Sequence, residues 1–447
     1  MKKYKFSMLM LSLLSISTVG LGQEKLTLQQ AVETALSSNY QLKVAETQKE
    51  IASKNAQVGN AGLLPSVSLN AGADYSNTDT EVEFVQAGGA GGSELSTNRQ
   101  EINGATSLSY NAKLQVDYVL FDGFGNRYNF RKLKETENLE SLKYHQEMES
   151  TMLQVVQYYY EVCRQQLNLK SAQVSMDVSR QRLEKVNEQY QYGQQNRLAV
   201  LNAEVDLNTD STKVLESEQA LEKAIRNLNT VMGQPVDTNY KVEEDVTYQE
   251  NLDREEIMAE VISSNASLRV QRKQEEISML DSKVTNANRY PTISLYGAYG
   301  WNQQENDASQ MVYNRSLGPS AGVKMSMNLF NGSQQRIKEQ NARLNIEAQK
   351  ATTTQQQLEL EKEVANAWTD YVYKKQLAKM EETSVEQARL NFEQTEESYA
   401  FGQSNTVEFR AAQENLLEAE NRLNNARYAA KISEVNLLQL AGMLLKQ

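Results

Sequence analysis

With 447 residues, only 4 prolines and 21 glycines, and a formal net charge of −12, the chain is suited to long uninterrupted elements. Its acidity disfavours nucleic acid and anionic lipid as partners. The single cysteine, Cys163, excludes an intrachain disulfide, and the single histidine, His145, cannot alone supply a metal cluster or a catalytic triad.

The first 22 residues place Lys2, Lys3 and Lys5 ahead of a short apolar stretch that closes on Gly20 and Gly22. They read as a secretory signal cleaved near Gly22–Gln23, the apolar core being short for an uncleaved anchor. No cysteine follows directly, so no N-terminal lipid anchor is expected. Without the leader's three lysines, 43 of the 46 basic residues stand against 58 acids, a net of −15. That balance suits a wall that passes cations, or simply the solvation of long helices.

Residues 23–64 read as helices, and residues 65–121 as a pair of strands. In "PSVSLNAGADYS", Val67, Leu69, Ala71, Ala73 and Tyr75 alternate with polar residues or glycine, the period of a strand with one apolar face. In "LSYNAKLQVDYVL", Leu108, Tyr110, Ala112, Leu114, Val116, Tyr118 and Leu120 oppose Ser109, Asn111, Lys113, Gln115 and Asp117. The Gly- and Ser-rich stretch after Gln86 reads as an exposed loop. It is no phosphate cradle, since no Gly-Lys-Ser/Thr follows and no helix opens there.

Residues 122–233 form a helical hairpin. From Phe130 to Tyr192 there is neither proline nor glycine. Met152, Val155, Tyr159, Val162, Gln166, Leu169, Gln173 and Met176 step by three and four, a coiled-coil seam. At roughly 1.5 Å per residue this helix spans about 95 Å. Gly193 then marks a reversal. Cys163 reads as a small buried hydrophobe, and His145 as a surface residue.

A linker, residues 234–252, precedes a second copy of the whole pattern. "EIASKNAQVGNAGLLPSVSL" from Glu50 recurs as "EISMLDSKVTNANRYPTISL" from Glu276, and Asn39 matches Asn265. "LFDG" ending at Gly123 recurs as "LFNG" ending at Gly332, and "YQYGQQN" around Gly193 as "YAFGQSN" around Gly402. Helices are therefore expected at 253–290, strands at 291–330 and a second hairpin at 331–447. In the strands, Ile293, Leu295, Tyr299 and Trp301, then Leu317, Ala321, Val323, Met325, Met327 and Leu329, carry the apolar faces. Val364, Trp368, Tyr371, Ala378, Val385 and Phe392 carry the second seam.

Each alternating run covers at least the roughly 9–11 residues that a tilted strand needs to cross a bilayer. A strand enters lipid only in a closed barrel, and four strands fall short of the smallest, with about 8. Either several chains share one barrel, with Leu114, Val116, Leu295, Val323 and Met325 facing lipid, or the sheet is soluble and packs on its helices.

The duplication, the leader, the strand pairs, "AVETALSSN", "LLPSVSL" and the glycine-tipped hairpins resemble the TolC-type outer-membrane efflux proteins over essentially the whole mature chain. The resemblance implies a mainly α fold with membrane β. Three chains would build a twelve-stranded barrel in the outer membrane and a twelve-helix periplasmic tunnel, without cofactor, metal or catalysis. It implies a passive duct whose partners are a periplasmic adaptor and an inner-membrane transporter. The exit duct of a protein-secretion system fits equally, and a non-conducting periplasmic spacer is the rival of another class. The hairpin tips would dock the adaptor through Gly193, Gln194, Leu198, Val200, Leu201, Gly402, Gln403, Val407 and Phe409. Family members carry acidic gate residues six and nine positions beyond the second tip glycine. Here these are Glu408 and Ala411, and the first hairpin has Ala199 at the sixth position, so Glu408 alone is the expected constriction.

Overall fold

The computed structural model describes residues 25–86, 96–249, 252–307 and 311–444. The expected leader and the centre of the loop after Gln86 lie outside the described residues.

Local chemistry starts the helices at matching places in the two copies. Thr27 opens α1 (Leu28–Ser38) with a capping box, exchanging hydrogen bonds with Gln30. Asn39 separates α1 from α2 (Tyr40–Asn55), its Oδ1 accepting from the Gln41 and Leu42 amides at 2.8 and 3.0 Å. Asn265 separates α5 (Arg254–Ser264) from α6 (Ala266–Ala287) and accepts from the Leu268 amide at 2.9 Å. The matching asparagines are therefore matching caps.

Four strands, β1 (Ser66–Gln86), β2 (Ser96–Phe121), β3 (Thr292–Asn306) and β4 (Tyr313–Ser326), form one antiparallel sheet in the order β1-β2-β3-β4. The two copies thus meet along β2 and β3. Alternation in the sequence runs on to Leu329, but β4 stops at Ser326. Its partner β3 begins opposite, at Thr292, so Met327 and Leu329 have no strand to pair with.

Two helices of 67 residues, α3 (Gly125–Gln191) and α7 (Gln334–Ala400), return as α4 (Arg197–Met232) and α8 (Thr406–Leu440). The second seam is buried at steps of seven, through Val364, Tyr371, Ala378, Val385 and Phe392. The first holds as far as Val162. Beyond it Gln173 is exposed, and the buried stripe runs through Ala172, Ser175, Ser179, Arg182 and Val186. A straight helix drifts by about 20° per heptad against a 3.5-residue repeat, which brings this adjacent row to the contact.

Both sequence copies contribute to each of two compact units. One, Val44–Glu147 with Ile262–Lys362, holds the sheet. The other combines Met148–Val261 with the described parts of Met1–Lys43 and Glu363–Gln447. Its core is formed by Val155, Tyr159, Val162 and Cys163 of α3 against Ala31, Ala35, Leu228, Val242 and Tyr428. The linker is stitched into this core. Leu26 and Val242 form a parallel bridge, and the Tyr159 hydroxyl donates to the Leu26 carbonyl at 2.9 Å. Burial pushes the Cys163 thiol well above its ordinary value, while its Sγ donates to the Glu243 carbonyl. His145 is exposed.

Candidate functional site

The register of the sheet gathers the alternating residues of all four strands onto common faces. Leu69 lies opposite Leu114, and Leu114 opposite Tyr299. Val67 lies opposite Val116, Tyr118 opposite Leu295, Leu295 opposite Val323, Ile293 opposite Met325, and Trp301 opposite Leu317. Ser68 and Gln115, Asn70 and Lys113, Gly72 and Asn111, and Asn111 and Asn302 pair on the other face. A one-residue slip would exchange the faces, so the polarity pattern fixes the pairing.

The apolar face is uncovered. Leu69 is 73 % exposed, Val323 65 % and Met325 64 %, with Leu114, Val116 and Leu295 also exposed. The sheet therefore does not bury this face on the chain's own helices, which removes the soluble packing that the sequence left open. A contiguous apolar surface of this kind marks a contact with something else. Among the described residues, β1 and β4 each pair on one side only, so two strand edges stay open as well.

The apolar band has an upper edge. Between Thr78 and Thr80 the β1–β2 register shifts, and the Gly104 amide donates to Asp79 Oδ1 at 2.7 Å. Directly past this bulge the next two odd-numbered positions of β1 are Glu81 and Glu83, opposite Glu101 and Arg99, with Arg99 ion-paired to Glu81. The apolar run from Val67 to Tyr75 is thus about 9 residues long, the span of a tilted bilayer-crossing strand.

The two helical tips are built alike. Gly193 and Gly402 take φ of 71° and 72°, and the amides of Gln194 and Gln403 each reach back five residues, to Gln189 and Ser398, at 2.8 Å. This is a glycine-terminated helix end. A Cβ on either glycine would meet nothing within 4 Å, so the left-handed backbone alone calls for glycine. Asn196 and Asn405 then cap the returning helices.

The tip residues divide by exposure. Gln194, Leu198, Leu201, Gln403 and Val407 face out, Val407 being 78 % exposed. Val200 and Phe409, expected as docking contacts, are buried and do not reach the surface. Val200 shares the inner row of α4 with Ala203, Asp210 and Val214. Phe409 packs its ring on Phe392 and Tyr399 at centroid distances of 5.6 and 4.9 Å.

Glu408 is exposed and closes a capping box. Its carboxylate accepts from the Ser404 hydroxyl at 2.7 Å and the Asn405 amide at 3.1 Å. These bonds, the Ser404 hydroxyl first, hold its carboxyl below the usual value.

Two residues from Glu408 lies a buried polar cluster that sequence reasoning missed. Arg410 of α8 grips Asp210 of α4 with both terminal nitrogens, Nη2 to Oδ1 at 2.7 Å. Ser179 of α3 donates to Asp210 at 2.6 Å, and Gln413 Nε2 donates to the Ser175 carbonyl at 2.8 Å. The next turn of α3 contributes Arg182, paired with Asp206 and lying over the Phe409 ring. Burial pushes the Asp210 carboxyl up, but hydrogen bonds from Arg410 and Ser179 and the Arg410 charge bring it below its ordinary value. The Asp210 carboxylate in turn raises Arg410. Arg410 and Asp210 are 200 residues apart, and neither belongs to a local motif.

The profile of the outer membrane efflux protein family matches residues 31–234 and 257–443 of this chain. Outer membrane protein TolC of Salmonella enteritidis is 21 % identical over an alignment covering all of this chain and 87 % of the relative. Proteases secretion protein PrtF of Dickeya chrysanthemi is 20 % identical, with 97 % and 91 % covered. The crystal structure of the Campylobacter jejuni CmeC outer membrane channel superimposes with a TM-score of 0.75 at 17 % identity, covering 93 % of this chain and 86 % of the channel. The profile match takes in both sequence copies and the residues of both helical tips, and the chain is a member of the outer membrane efflux protein family.

Proposed function

We propose that three copies of this chain close one twelve-stranded barrel in the outer membrane. In this reading α3, α4, α7 and α8 of each copy wall a periplasmic tunnel. The assembly is the passive exit duct of a tripartite pump, fed by an inner-membrane transporter through a periplasmic adaptor. The observation that carries the reading is the sheet, whose apolar face is uncovered and whose two edges are open. Water disfavours the bare apolar face and lipid disfavours the open edges, and both are satisfied when strands of further copies complete the wall. Leu114, Val116, Leu295, Val323 and Met325 then face lipid, and the polar rows line the duct.

The adaptor docks at the tips, on Gln194, Leu198 and Leu201 of the first hairpin and Gln403 and Val407 of the second. Glu408 rings the narrow end. Hydrogen bonds from Ser404 and Asn405 favour its charged form within each chain, and a ring of such carboxylates favours cations. A second reading, the exit duct of a protein-secretion system, is favoured by the similarity to the protease-secretion protein PrtF.

Cysteines placed at Gln194 or Gln403 test the docking. Crosslinking in intact cells is expected to capture an adaptor from either tip, and the identity of the captured adaptor separates pump from secretion system. Capture only from cysteines in the sheet would overturn the assignment.

A further inference from the structure

A cup of aromatic rings lies where the apolar face of the sheet ends. The β2–β3 register shifts between Val119 and Phe121, which turns Phe121 to the apolar face, opposite Ile293. Beside it, Phe121, Phe124, Tyr128 and Tyr290 line a cavity of about 320 Å³, together with the exposed Lys283. Gly123 brings the two segments together, since a Cβ there would come within 2.6 Å of the Ala287 carbonyl. The cup belongs to the β2–β3 contact in the middle of the sheet, apart from the open edges of β1 and β4.

Packing alone does not account for these residues. Phe124 takes φ of 67°, left-handed backbone that a bulky side chain rarely adopts. The second sequence copy makes the same turn with Ser333 at φ 68°, so the turn itself does not call for a ring. Tyr128, Lys283 and Tyr290 likewise stand where the other copy has Ile337, Gln57 and Leu64. Strain kept where a smaller residue serves points to a task. Charge is the second anomaly. The chain is acidic overall, yet Arg127, Arg131, Lys132 and Lys134 stand between Gly123 and Glu135 with no acid among them. Helix α3 opens in this stretch without an acid in its first turn, where the helix dipole disfavours cations. The Arg127 guanidinium lies 5.8 Å from the centre of the Phe124 ring, and Lys283 Nζ 5.8 Å from that of Tyr128. Among the described residues, neither cation is ion-paired.

We propose that this cup binds one acidic phospholipid of the periplasmic leaflet per chain. Lys283 and Arg127 hold its phosphate, and an acyl chain lies against Phe121 and the apolar face. Two cations on rings that continue an apolar surface fit an amphiphile whose anionic head adjoins hydrocarbon. A free anion would satisfy the cations and leave the rings bare, while a neutral hydrocarbon would leave the cations unused. The level is also right. Strands give way to helices here, where an outer-membrane barrel leaves lipid for the periplasm, and aromatic rings settle among headgroups with their hydroxyls toward water. Basic side chains beside a membrane surface favour acidic lipids over neutral ones. The acidity of the whole chain does not oppose this, because screening confines the interaction to the nearest charges.

The inference rests on the reading of the apolar face as lipid-facing, and its test separates the two. Native mass spectrometry of the full-length protein, purified in detergent and given dimyristoylphosphatidylglycerol, counts the lipid that each assembly retains. Retention up to one lipid per chain is expected, several-fold above that of dimyristoylphosphatidylcholine and unmoved by added inorganic phosphate. Lys283→Gln with Arg127→Gln should lower it several-fold, and so should Phe124→Ser, while heat-resistant trimers persist. Arg131→Gln with Lys134→Gln removes as much charge outside the cup and should keep the lipid. Equal losses from both charge pairs, equal retention of the two lipids, full retention in Phe124→Ser, or displacement by inorganic phosphate would each overturn the site and leave the duct reading standing. If the unsubstituted protein forms no oligomer in outer membranes, both fall.

Discussion

Arg410 and Asp210 illustrate what a single residue does near the tips. Both are largely buried, and each neutralises the other. Arg410→Met leaves the buried Asp210 carboxylate with the Ser179 hydroxyl, the Gln413 amide and, at 3.7 Å, the partly exposed Lys213, and breaking a buried pair costs at most about 3–5 kcal/mol. The expected outcome is a clear fall in the thermal unfolding midpoint of the detergent-solubilised protein, largely recovered in Arg410→Met with Asp210→Leu. An unchanged midpoint in the single variant would show the pair to be idle. The pH dependence follows from the lowered Asp210 carboxyl. Its contribution is fully present above the ordinary value of 3.8 and is lost only as the pH falls through the lower folded value. Glu408 gives a second prediction. Glutamine serves equally at the third position of a capping box, so Glu408→Gln removes the charge and keeps the helix start. Cation selectivity, read as the reversal potential under a salt gradient, should weaken while the unfolding midpoint stays. No change of potential in trimers that still insert would place the constriction elsewhere. The tip glycines were legible in the sequence because a helix reversal is decided within a few residues, whereas the equally local capping by Asn196, Asn405 and Glu408 emerged only from the structure. The burial of Val200 and Phe409 was not legible, because distance from a glycine says nothing of which side a helix presents inward. Nor was the Arg410–Asp210 pair, whose partners meet only through packing of distant segments.

At the scale of elements, the strands were the most legible part, because alternation and face are the same fact in a pleated sheet. Where β4 ends was not legible, since a strand needs a partner as well as a pattern. The seam of α3 was half legible. Large residues announce its first half, while Ala172, Ser175 and Ser179 bury a row too small and polar to stand out. The face assignment makes a prediction of its own. Leu114→Arg or Val323→Arg puts a guanidinium on the lipid side, which costs about 2–4 kcal/mol near mid-bilayer. Heat-resistant trimers on gels should be depleted in these variants and better retained in Ser109→Arg or Ser326→Arg, on the polar face. Equal depletion from both faces would reject the assignment.

At the scale of the whole molecule, duplication gives the chain two strand pairs and two hairpins, and the sheet joins the copies along one of its edges only. The other edge of each pair is open, its apolar face is bare, and the family to which the chain belongs is one of outer membrane efflux proteins. A duct and an inert spacer share every helix of this architecture and differ in whether the shared barrel encloses a continuous path. Single-channel recording of the purified full-length protein in a planar bilayer reads that path directly. Discrete current steps of uniform size are expected, carried mainly by cations and lost in Leu114→Arg for want of assembled barrels. A folded, oligomeric protein that enters the bilayer and gives no current steps would contradict the account.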